Sequence, residues 1–192
     1  RLALLLGDKQ AAEARLRSAI ELNGRHMSAR QALALVLRER GARTEALAEL
    51  VRIERIDPTN VPAQAERYLL SRDAASKSEL LKLLGGQSQE AIGLSQFYRD
   101  LHRWKDAVAV LDLVAANNRD PWGTPPEFYY TLAYCQRRAG LEQQSAAGLA
   151  KARAAYGHID RFPYREESEA PLAEAVKLDA GDSVARFNLA CL

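Results

Sequence analysis

The stretch Gly41 to Asn60, GARTEALAELVRIERIDPTN, shows the polar and apolar pattern of the whole chain in miniature. Ala46, Leu50, Ile53 and Ile56 fall on one stripe at helical spacing, which predicts an amphipathic helix over Thr44 to Ile56. Gly41 opens the stretch as a tight turn, and Pro58 forbids continuation. The same skeleton recurs 34 residues earlier, with Gly7 for Gly41, Ala12 for Ala46, Leu16 for Leu50 and Leu22 for Ile56. A fixed period of that length is the signature of stacked helical hairpins.

The pattern predicts further helices on both sides. Asp8 to Leu22 carries Ala12, Leu16, Ala19 and Ile20 on one face, and Met27 to Arg40 aligns Leu33, Ala34 and Leu37. Val61 to Ser71 follows, then a short helix led by the capping-box pattern Ser76-Lys-Ser-Glu79 and stopped at Gly85-Gly86. Gln89 to Asp100 and Trp104 to Ala116 make a pair, and Asn117 to Gly123 reads as a longer loop. Thr124-Pro-Pro-Glu127 reads as a second capping box with Pro125 at the first helical position. Phe128 to Ala139 and Leu141 to Tyr156 form the next pair, turning at Gly140.

The order then breaks. Arg165 to Leu178 has the pattern of a second helix of a hairpin, yet Ser168 lies only 23 residues after its counterpart Ser145. Pro171 inside that stretch implies a late start or a kink. Gly157 to Tyr164 is expected to run extended in place of a missing helix, leaving the helices on either side parallel. Ser183 to Leu192 starts a last helix with Leu189-Ala190.

Leu33-Ala34, Ala46 and Pro58 stand where the tetratricopeptide repeat (TPR) family carries its large-small pair, its small helix-B residue and its proline, and the chain resembles that family over nearly all of its length. The resemblance implies an all-α fold, a right-handed superhelical α-solenoid of about 11–12 helices, in one repeat domain over 1–192. The first helix of the best-matched repeat departs from the family at Arg30, where a large aromatic is usual, so an alkyl stem is expected to serve as the anchor. WKDAVAVLDL, YYTLAY and RFPYREE also resemble the C-terminal repeat region of large bacterial proteins that carry a β-rich domain before the repeats. Arg1 within LALLL, and Leu192 within VARFNLACL, read as positions inside helices. Truncation mid-repeat at both ends is therefore expected, and the lack of a leader is uninformative.

Composition narrows the function. The chain has 192 residues, rich in alanine, leucine, arginine and glutamate, with 27 basic against 25 acidic side chains and a net charge of +2. Such balance offers no field for nucleic acid or acidic lipid. No uncharged apolar run approaches the roughly 18 residues of a membrane span, and a cytoplasmic location is expected. Cys135 and Cys191 have no paired spacing, which disfavours a disulfide scaffold or zinc cluster. Both read as small buried hydrophobes.

Candidate chemistry is sparse. His158-Ile-Asp160-Arg-Phe-Pro-Tyr164-Arg-Glu166-Glu167 gathers acids, bases and a histidine, but it reads as a connecting loop followed by acidic residues in the first turn of a helix. His26 and His102 lie at turns without a second ligand at metal spacing, and read as solvated. Gly85-Gly86 lacks the lysine of a phosphate loop. Arg15, Arg17, Arg25 and Arg30 are interleaved with Glu13 and Glu21, a solvated face. No catalytic residue, cofactor site or metal site is assigned.

The aromatic run Phe128, Tyr129, Tyr130 and Tyr134 is richer than one packing face needs. Tyr129 belongs on the packing face with Leu132 and Ala133, while Tyr130 and Tyr134 lie four apart on another stripe beside Arg137 and Arg138. In TPR proteins that stripe lines the concave groove where partners bind. The resemblance therefore implies a partner groove of Gln31, Leu35, Arg38, Gln96, Arg99, Tyr130, Tyr134, Arg137, Phe187 and Asn188. Packing against the following loop or another domain is the alternative role for the tyrosines. The lysine and asparagine set with which chaperone-binding TPRs clamp a C-terminal carboxylate is not matched. The expected function is a noncatalytic scaffold for a protein, a peptide or another domain of the same chain, with no nucleic acid and no membrane. The alternative is an accessory repeat region of a larger enzyme, carbohydrate-related or other, whose catalytic domain lies elsewhere.

Overall fold

A computed structural model describes residues 8–117, 123–155 and 166–192, and among these the structure is all-α. The described residues fall into two compact units, one ending at Leu84 and the other beginning at Gly85.

The first unit holds α1 (Lys9–Leu22), α2 (Met27–Glu39), α3 (Arg43–Ile56), α4 (Val61–Ser71) and α5 (Ala74–Leu84). Consecutive helices pack as hairpins, and α2 also touches α4. Small residues allow the close approach: Ala46 of α3 is fully buried against Leu33 and Leu37 of α2. Gly41 makes the α2–α3 turn at φ +78°, a conformation only glycine adopts without strain. The Asp57-Pro-Thr-Asn60 segment both stops α3 and starts α4. Asp57 accepts from the Thr59 N–H at 3.0 Å, and the Asn60 side chain accepts from the Ala63 N–H at 3.0 Å as the N-cap.

The second unit holds α6 (Ser88–Asp100), α7 (Trp104–Ala115), α8 (Pro126–Arg138), α9 (Glu142–Ala154), a 3-10 turn (Glu166–Ser168), α10 (Glu169–Leu178) and α11 (Ser183–Ala190). Gly140 turns α8 into α9 at φ +78°. Pro171 stands in the first turn of α10, where its missing N–H has no intrahelical partner to lose, so the helix starts late and does not kink. Gly157 to Pro163, and Tyr164 with it, lie outside the described residues.

Two expected caps shift. The N-cap of α5 is Asp73, which accepts from the Ser76 N–H at 2.7 Å. Ser76 is inside the helix, its hydroxyl 2.7 Å from that of Ser71. An aspartate three residues upstream is an equally good cap and sits directly after the left-handed Arg72 that ends α4. α8 starts at Pro126, one residue later than expected, with Pro125 as its N-cap. Arg30 is more than an alkyl anchor. Its guanidinium donates to the Gly24 carbonyl at 2.7 Å and pairs with Glu49 at 2.5 Å.

Candidate functional site

Helix α8 is the hub of the second unit, with α6, α7, α9, α10 and α11 all packed on it. On one side, α9 lies close because the contact residues are small. The Ser145 hydroxyl donates to the Ala133 carbonyl at 2.8 Å, and a Cβ on Gly148 would come within 3.0 Å of the Ala133 Cβ. On the other side, Arg138 near the end of α8 meets Glu174 of α10 at 2.8 Å, while Tyr130 near its start reaches Asp182 beyond the end of α10. Helix α10 therefore runs antiparallel to α8, as α9 does, and α9 and α10 share one direction.

Between them lies a small crevice, open to solvent, with space for about one water molecule. Tyr130, Ala133, Tyr134 and Arg137 of α8 line it from below, Ser145 and Leu149 from α9, and Pro171, Glu174, Ala175 and Leu178 from α10. Leu178 is 43 % exposed, so part of the apolar lining faces solvent. Arg137 is also exposed and lies 3.6 Å from both Glu142 and Glu174, longer than a hydrogen-bonded ion pair.

A polar node holds the floor. Asp182 Oδ1 accepts from the Tyr130 hydroxyl at 2.8 Å and from the Ala185 N–H at 2.9 Å, and Oδ2 accepts from Arg153 Nε at 2.9 Å. Burial works to raise the Asp182 carboxyl, yet these hydrogen bonds outweigh it and hold the group below the usual carboxylate value. Burial and the Asp182 contact push the Tyr130 phenol well above its ordinary value. Cys135 is buried, and burial pushes its thiol up to about 12.

Beside the crevice, two cations lie over the Tyr134 ring: Arg99 is 5.3 Å from its centre and Arg138 5.1 Å. Trp104 meets the same ring edge-on at 5.7 Å, and His102 stacks on Trp104 at 5.6 Å. Such cation–π contacts strengthen as water is excluded.

The structure brings three of the expected groove residues, Tyr130, Tyr134 and Arg137, to this crevice, with Arg99 behind Tyr134. Tyr130 needs correction. It is fully buried with its hydroxyl bonded, while Tyr129, expected on the packing face, is half-buried. The reason is that α10 covers the stripe of α8 that would otherwise be open. Asn188 is likewise buried, donating to the Val184 carbonyl at 2.8 Å, whereas its neighbour Phe187 is 37 % exposed. In the first unit Gln31 and Leu35 are buried, and Arg38 pairs with buried Glu66 at 2.9 Å. Leu35 offers no surface to a partner. Gln96 donates to Asp100 at 2.6 Å.

Of the run from His158 to Glu167, only Glu166 and Glu167 are among the described residues. His26 is not simply solvated: its Nδ1 accepts from the Ala29 N–H at 3.3 Å and caps α2. Cys191 is exposed, unlike the buried residue expected. Among the described residues no three metal-ligating side chains cluster, and no helix is long and apolar enough to cross a membrane. Sequence reasoning missed Asp182 and Ser168. Asp182 carried a visible signal, an acidic residue three positions before Ala185 at a helix start.

No family model matches the chain, and no curated protein matches it. Among solved structures, one titled as the crystal structure of MamA is similar at 13 % identity, covering 78 % of this chain and 89 % of its own, with a TM-score of 0.38. A second, titled MamA MSR-1 C2, is similar at 14 % identity, covering 80 % and 90 %, with a TM-score of 0.39. Both likenesses are remote, and the fold is read from the helices of the chain itself.

Proposed function

We propose that this chain is a noncatalytic protein-interaction module, and that a partner segment docks into the crevice between α8, α9 and α10. The supporting observation is the combination of an exposed apolar wall at Leu178 with a rim formed by half-buried Tyr134 and exposed Arg137. Tyrosine and arginine next to an apolar pocket are the side chains that most often anchor interfaces. The crevice is small and open to solvent, so it suits the tip of one apolar side chain laid across it. The partner is a protein, a peptide or another domain of the same polypeptide. The two units are read as consecutive stretches of one repeat array, on the strength of the TPR-like pattern that runs through both.

Peptide display on the purified chain, followed by Leu178→Asp and Arg137→Ala, tests this reading. Arg137 makes only long, exposed ion pairs, so its removal should leave stability almost unchanged. Selected peptides are expected to share an apolar anchor and to lose binding in both variants while thermal unfolding stays near wild type. Peptides that bind the two variants as well as the wild type would place the interaction elsewhere. Activity that appears in a larger protein only when these repeats accompany a catalytic domain would favour the accessory role instead.

A further inference from the structure

We draw no further inference here: the strongest candidate, the surface patch where His102 at the α6–α7 turn, Trp104 of α7, and Tyr134 and Arg138 of α8 stack on one another, carries nothing because nothing in the structure shows what covers it.

Discussion

The Tyr130 hydroxyl donates to Asp182 Oδ1 at 2.8 Å across 52 residues of chain. The same carboxylate caps α11 through the Ala185 N–H and holds Arg153 of α9, so one side chain joins three helices. Tyr130→Phe removes one bond and leaves the others, and is expected to cost about 1 kcal/mol. Asp182→Ala also removes the cap and strands a buried hydroxyl, so about 2–4 kcal/mol is expected. Urea unfolding of both variants checks the order; equal losses would show that the node contributes nothing beyond the Tyr130 bond.

The same carboxylate sets a pH dependence. Its folded value lies below the ordinary one, so its contribution is present above the unfolded pKa of about 3.9 and is lost as pH falls through the folded value. Unfolding free energies of wild type and Asp182→Asn, compared between about pH 6 and pH 2, should therefore converge at the acid end. A difference that stays constant across that range would mean that Asp182 does not carry this dependence.

Ala46 of α3 is fully buried against Leu33 and Leu37. Ala46→Leu has nowhere to place its added atoms and is expected to cost about 1–3 kcal/mol. Thermal unfolding unchanged from wild type would mean that α2 and α3 do not cross at this residue.

Periodicity made the helices legible because the apolar stripe is a local property. Val61–Ser71 is found as expected, and most other ends move by one or two residues. The caps were less legible: Asp73 and Ser76 are both good capping types, and only the backbone path after Arg72 decides between them. The candidate site was legible as a stripe but not as a surface. Tyr130, Tyr134 and Arg137 do come together, yet whether a tyrosine of α8 is open depends on α10, whose seat is fixed by Arg138–Glu174 and Tyr130–Asp182 over 36 and 52 residues. Arg99 was singled out by its stripe, but its burial is a property of the assembled unit.

The two cysteines should separate cleanly by reactivity. Cys191 is exposed, whereas Cys135 is buried with its thiol pushed up to about 12, so almost no thiolate forms at neutral pH. Titration with an aromatic disulfide reagent is expected to release one equivalent from the native chain and a second only in denaturant. Two rapid equivalents without denaturant would contradict the burial of Cys135.

Gly148 gives the sharpest test of the α8–α9 contact, because two effects of similar size oppose each other there. In a free helix, glycine to alanine is favourable by about 1 kcal/mol. Here the new Cβ would lie 3.0 Å from the Ala133 Cβ and 3.3 Å from Gln136 Oε1. The Gln136 side chain can swing away, but the Ala133 Cβ is fixed to the backbone of α8. Relief therefore requires α9 to move outward, loosening the bond from the Ser145 hydroxyl to the Ala133 carbonyl one turn away. Overpacking of this kind costs typically 1–3 kcal/mol and should outweigh the propensity gain. Gly148→Ala is expected to lower stability by about 1 kcal/mol, whereas an alanine at an exposed site of α9 such as Gln144 should not. Denaturant unfolding of both variants decides between them, and a stabilised Gly148→Ala would show that α9 lies farther from α8 than this contact requires.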